Sequence, residues 1–137
     1  MDIDARRPDP TRRALILVVE RNPAVQKLER FLLEDAGFSV EFAADGLIAL
    51  ERARQLQPSI VVTEILVPLL DGLQLCAALK GEAATSSIIV LVFSHLHAED
   101  RALAAGADAF LCKPIDEEGL IRTVAKLLKI HEDKVGR

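Results

Sequence analysis

No tryptophan and no tyrosine occurs among the 137 residues, and phenylalanine supplies the five aromatic rings present. A flavin would find no indole or phenol to stack on. A glycine-rich phosphate loop is missing too: the first strand-like run is followed by Glu20-Arg21-Asn22-Pro23, without the glycines that let backbone approach a pyrophosphate. No nucleophile-elbow pattern of the hydrolase type occurs. The two cysteines, Cys76 and Cys112, lie far apart and lack metal-ligand spacing, so each reads as a small hydrophobe in a reducing cytoplasm. Runs such as Ala14 to Val19 and Ile88 to Phe93 are far too short to span a bilayer, and no secretory signal pattern opens the chain. The formal net charge is −4, with no long block of either sign, which argues against nucleic acid as a partner.

Half the residues are apolar, enough for a core, and the length fits one domain. Residues 1–13 read as a solvated tail in which Arg6, Arg7, Arg12 and Arg13 are nearly cancelled by Asp2, Asp4 and Asp9. The domain runs over 14–129, and 130–137 reads as a polar, fraying ending. Within the domain, five aliphatic runs alternate with helical patterns. Ala14–Val19 is apolar on both faces, as a central parallel strand must be. Asn22-Pro23 opens a helix with Val25, Leu28, Leu32 and Ala36 at helical spacing, closed by Gly37. A strand over 38–42 follows. Asp45 then caps a helix to about Leu56 with Ile48, Leu50 and Ala53 on its apolar side, stopped by Pro58. Strand 59–63 leads through a Pro68 loop to a helix from Gly72 to about Lys80 using Leu73, Cys76, Ala77 and Leu79. Strand 88–93, a short helix over 98–105, strand 108–112 and a last helix capped by Asp116 complete the chain, the last with Leu120, Val124, Leu127 and Leu128 inward.

Such alternation implies an α/β fold with a doubly wound parallel sheet, whose crevice lies beyond the carboxyl ends of the strands. The residues that follow those ends are Glu20, Arg21, Glu64, Ser94, His95, Lys113 and Pro114.

These positions carry a resemblance. Leu17-Val-Val-Glu-Arg-Asn-Pro23 resembles the strand-one signature of response-regulator receiver domains, and Pro58 to Gly72 resembles the family's third strand and following loop. Ala43-Ala-Asp-Gly46, Gly106-Ala-Asp-Ala-Phe110 and Lys113-Pro114 fall at matching places, so the likeness covers about residues 14–129. It implies a five-stranded flavodoxin-like sheet in the order 2-1-3-4-5. It also implies a mechanism in which an Asp after strand three takes a phosphoryl group from a histidine kinase. Two acids after strand one join that Asp in holding Mg²⁺. A hydroxyl after strand four and a Lys after strand five contact the phosphoryl group, and an aromatic on strand five switches rotamer.

By that likeness Ser94 is the hydroxyl, Lys113 the lysine in a cis bond to Pro114, Phe110 the aromatic switch and Glu20 the first acid. The departures are larger. Arg21 replaces the second acid, Glu64 replaces the phosphoacceptor Asp, His95 replaces a small residue and Ala109 replaces an acid used in pairing between output faces. Glu20 and Glu64 then supply two negative charges and Arg21 and Lys113 two positive ones, a neutral set without a metal. A guanidinium offers no acceptor to Mg²⁺. At about 6 Å and an effective dielectric near 20, it would repel the ion by roughly 5 kcal/mol. The Glu64 carboxylate also stands one methylene too far out, and a misplacement of ~1 Å costs on the order of a hundredfold in phosphoryl transfer. Both Arg21 and Lys113 are expected to pair with Glu64, and Mg²⁺ to bind weakly or not at all.

The expected function is therefore that of an atypical, non-enzymatic receiver that is not phosphorylated at the usual position and acts by protein contact. The contact face is the fourth helix, fifth strand and fifth helix, exposing Glu99, Arg101, Arg122 and Lys126. Partners would be a histidine kinase, an output protein or a second copy, with no nucleic acid and no membrane. A phosphoaccepting receiver with an altered site and a nucleotide- or flavin-binding module are the alternatives. Glu64 as a mimic of phosphoaspartate is partial, because it carries one charge against about −1.5 to −2.

Overall fold

The computed structural model describes residues 14–114 and 117–135. Five strands, β1 (Leu15–Val19), β2 (Ser39–Ala43), β3 (Ile60–Thr63), β4 (Ile89–Ser94) and β5 (Ala109–Cys112), form one sheet in the order β2-β1-β3-β4-β5, with every pairing parallel. Among the described residues, five helices connect and follow them: α1 (Pro23–Asp35), α2 (Gly46–Leu56), α3 (Gly72–Gly81), α4 (Glu99–Ala104) and α5 (Glu117–Val135). This is the expected doubly wound, flavodoxin-like arrangement. The 1–13 tail and the Asp116 cap lie outside the described residues.

The strands are aliphatic on both faces because both faces are covered. Leu17, Val19, Val61, Val90 and Val92 pack with Ala49 and Ala53 of α2, Leu75, Cys76 and Leu79 of α3, and Ala102 of α4. Ile16, Val18, Ile60, Val62, Leu91 and Phe93 pack with Leu33 of α1 and with Leu120, Val124 and Leu128 of α5. The register sets Val19 beside Thr63, Thr63 beside Val92 and Ser94 beside Cys112. Glu20, Glu64 and Lys113 thus leave the same edge of the sheet, next to Ser94 at the end of β4.

Local chemistry starts and ends the helices as anticipated. Asn22 accepts from the N–H groups of Ala24 and Val25, and Asp45 accepts from that of Ile48. Gly37, at φ 98°, closes α1 in a conformation that side chains disfavour, and Gln57 caps α2 just before Pro58. Asp71 forms a reciprocal capping box on α3, accepting from Leu73 and Gln74 at 2.8 Å while its own N–H donates to Gln74 at 3.0 Å. Asp71→Ala should lower stability by about 1 kcal/mol. Urea unfolding tests this, and an unchanged midpoint would count against the cap.

Three helix phases differ from the expected stripes. On α1, Leu28 is 53% exposed, and Glu29 and Leu33 are the buried residues. On α2, Ile48 is 42% exposed and Ala49 turns inward, while Ala53 is buried as expected. On α3, Ala77 is exposed and Leu75 is buried. Spacing of i, i+3 and i+4 admits neighbouring phases, and packing against a particular strand pair chooses among them. The last helix also runs past Ile130 to Val135, since neither proline nor glycine interrupts it there.

Candidate functional site

At the carboxyl edge of the sheet lies a cleft of about 180 Å³ lined by Glu20, Arg21, Asn22, Val25, Glu64, Leu66, His95 and Lys113. β1 delivers Glu20, 5% exposed, whose Oε2 accepts from the Asn22 N–H at 3.0 Å. The Gln26 side-chain amide donates to the Glu20 carbonyl. β3 delivers Glu64, 9% exposed. Its Oε2 accepts from its neighbour Ile65 N–H at 2.7 Å, and its carbonyl accepts from the Thr63 hydroxyl at 2.8 Å. Gly72 makes this possible: a Cβ there would sit 2.3 Å from the Glu64 carbonyl oxygen, so only glycine lets α3 begin against it.

Lys113 enters from the end of β5, its N–H bonded to the Ser94 carbonyl at 2.8 Å and its peptide to Pro114 cis, as the resemblance implied. Its ammonium lies 2.8 Å from Glu20 Oε1 and 3.3 Å from Glu64 Oε1, with each of the three side chains more than nine-tenths buried. It also stands 5.0 Å over the Phe93 ring. Burial alone would drive the Lys113 proton off, but the Glu20 hydrogen bond and the charges of Glu20, Glu29 and Glu64 win, so its pKa is raised. Burial likewise pushes Glu64 up. Hydrogen bonding from Ser94, the Lys113 charge and the Ile65 N–H outweigh it, and the carboxyl sits below its ordinary range. Ser94 is fully buried, and its hydroxyl accepts from the Leu96 N–H at 3.2 Å.

One expected contact is not made. Arg21 is exposed on the rim of the cleft, and no ion pair of its side chain occurs among the described residues. Among the described residues, Lys113 alone bridges the acids. A guanidinium is well solvated in the open, and the compact ammonium already fills the space between the two carboxylates. The repulsion that Arg21 would exert on a bound cation is accordingly screened by solvent.

Sequence reasoning missed Glu29. It is 4% exposed on α1, and its pKa is pushed up to about 7, chiefly by burial, with Lys113 opposing and Glu20 and Glu64 adding to the rise. The available signal was a helical series 25, 29, 32, 36 with an acid in an otherwise apolar row.

The chemistry of the set does not fit the three-acid Mg²⁺ site of the resemblance. Glu20 and Glu64 are engaged by an ammonium, and the third position holds a donor-only side chain. Among the described residues, no group of three or more His, Cys, Asp or Glu is arranged to hold a metal ion.

The remaining expected residues sit away from the ion cluster. Phe110 is half-buried and packs against the α2–α3 side of the core. It lines a cavity of about 680 Å³ with His97, Glu99, Asp100, Arg101 and Cys112. Glu99, Arg101, Arg122 and Lys126 are exposed, and Arg122 pairs with Glu118 on the same helix at 3.3 Å. Cys76 is fully buried, which raises its thiol to about 11, whereas Cys112 is only partly buried, 3.7 Å from His97 Nδ1. The expectation of a buried apolar role therefore holds for Cys76 and not fully for Cys112. No helix among the described residues is long and apolar enough to cross a membrane.

Residues 16–125 match the sequence profile described as the response regulator receiver domain. The chain is 38% identical over 115 residues to the response regulator MprA of Mycobacterium tuberculosis, covering 83% of this chain and 50% of that protein. It is 34% identical over 117 residues to the DNA-binding dual master transcriptional regulator RpaA of a Synechocystis strain, covering 83% of this chain and 48% of that protein. The chain thus spans about half the length of these curated relatives. Among solved structures, a response regulator from Chloroflexus aurantiacus superposes with a TM-score of 0.81 at 26% identity, covering 85% of this chain and 98% of the other. The receiver domain of a signal transduction histidine kinase from Syntrophus aciditrophicus gives 0.79 at 30%, covering 85% and 90%.

Proposed function

Because this chain belongs to the response regulator receiver domain family, we propose that it is a receiver whose phosphoryl chemistry has been replaced by a permanent ion bridge, and which signals by protein contact. The observation that carries this reading is the Lys113 ammonium seated on Glu20 and Glu64, at 2.8 and 3.3 Å. Mg²⁺ would have to displace that cation and would still lack a third carboxylate. Glu64 presents its charge to Lys113 and to the Ile65 N–H, so its oxygens are committed rather than free to attack a phosphoryl donor.

The contact surface in this reading is the face formed by α4, β5 and α5, where Glu99, Arg101, Arg122 and Lys126 offer mixed charge to a kinase, an output domain or a second copy. Ser94 and Lys113, in place at the hydroxyl and lysine positions, favour the competing reading, a receiver that still accepts phosphate through an altered site.

Intact-mass measurement with acetyl phosphate and Mg²⁺ separates the two. The unmodified mass is expected for the native chain, and a phosphoryl adduct for the double variant Arg21→Asp/Glu64→Asp. A Mg²⁺-dependent adduct on native Glu64 would overturn the reading.

A further inference from the structure

Glu29 is the least accommodated polar group in the described structure. Its Oε1 is the one buried side-chain nitrogen or oxygen among the described residues without a hydrogen-bond partner. It sits on α1 about two turns after the Asn22 cap, on the helix that springs from the Glu20 loop. A carboxylate oxygen in such a place lacks the donor that makes burial of charge tolerable, whereas the neutral acid is far less penalised.

The charges that reach it are those of the ion bridge. Lys113 favours the ionised form, and Glu20 and Glu64 oppose it. From the other elements packed on α1, Glu41 of β2 is exposed, and Glu118 and Arg122 of α5 pair with each other in solvent. On α1 itself, Arg30 and Glu34 form an exposed pair, and Arg30 lies over the Phe42 ring. Among the described residues, Lys113 is thus the cation to which an ionised Glu29 would turn.

We propose that Glu29 is a proton-operated switch on the ion bridge: protonated, it leaves Lys113 to Glu20 and Glu64, and ionised, it competes for that ammonium and loosens the bridge. The inference rests on the reading above, in which Lys113 rather than a metal balances the two acids. Burial places the exchange near neutrality, at about 7, with the proton passing to solvent buffer. Loosening would be felt by the backbone that holds the acids, since Asn22 N–H donates to Glu20 and Ile65 N–H to Glu64. It would also be felt by β5, which carries Lys113 into the site beside the α4–β5–α5 face.

The test follows the amide shifts of Asn22 and Ile65 by NMR in the full chain with a chelator present, from about pH 5 to about pH 9, the range that also covers ordinary histidines. An inflection near neutrality is expected in the native protein. It should vanish in Glu29→Gln and equally in Glu29→Met, and persist in His95→Gln/His97→Gln, which removes the nearby imidazoles. An inflection retained without Glu29, or lost with the histidines, would overturn the proposal. A separate Mg²⁺ titration at fixed pH isolates the underlying reading: saturable shifts of the same two amides would sink the metal-free bridge, while the chelated series still judges Glu29.

Discussion

Lys113→Met is expected to cost about 3–5 kcal/mol of folding stability near neutral pH, the range for removing one partner of a buried ion pair. The Lys113 side chain is 9% exposed and, among the described residues, carries the one cation seated between Glu20 and Glu64, whose side chains are 6% and 9% exposed. Methionine fills the stem volume and leaves two carboxylates facing each other without a counter-charge. The contact with Phe93 is lost as well.

The loss should depend on pH in a defined direction. In the native protein the Glu64 pKa is lowered, so its contribution is present above the ordinary carboxylate range and fades as pH falls through the folded value. Removing Lys113 therefore matters most at pH 7 and least where the carboxylates are protonated. Urea unfolding at neutral and acidic pH measures this. Adding Glu20→Gln and Glu64→Gln should recover much of the loss, because neutralising a whole buried set is far cheaper than orphaning part of it. A cost below about 1 kcal/mol, the level of an exposed pair, would mean that the bridge is solvated in practice.

Glu29→Gln should act in the opposite direction, stabilising the domain above neutrality by about 3 kcal/mol. The Glu29 carboxyl titrates at about 7 in the fold against a reference value of 4.5. Below the reference value the acid is protonated in both states and imposes no penalty. As pH rises through the interval the unfolded chain ionises first, so the native protein loses stability until pH passes the folded value. Glutamine stays neutral and holds the same shape, which removes that slope. Denaturant titrations at pH 5 and pH 8 should show the variant gaining on the native chain at the higher pH alone. Parallel stability curves for the two proteins would show that Glu29 finds a donor or solvent in the native state.

Much of the site was legible because it lies where a doubly wound sheet always opens. Strand ends at Val19, Thr63 and Cys112 could be placed from aliphatic runs, β4 ending at Ser94, one residue past the expected Phe93, and the register then put Glu20, Glu64, Ser94 and Lys113 on one edge. Arg21 and Glu64 stood out equally, as residue types that differ from those the resemblance implies at these positions. That Arg21 stays unpaired with Glu64 was not legible. Formal charge balance on paper ignores solvation, and an arginine at the rim keeps its water while its neighbour Lys113 is carried inward by β5. Glu29 was not legible for a related reason, because helical spacing equally admits the phase that buries Leu28.

Caps, breakers and strand periodicity are interactions between residues a few positions apart, so the chain written out as letters was sufficient for the five strand-helix units, the parallel sheet and the location of the crevice. Which cation neutralises which acid depends on groups such as Glu20 and Lys113, 93 positions apart, and on how much water each retains. Only the packed structure decides that, by setting the rotation of α1 on the sheet, burying Glu29 Oε1 without a donor, turning Arg21 outward and leaving, among the described residues, a single ammonium between two carboxylates.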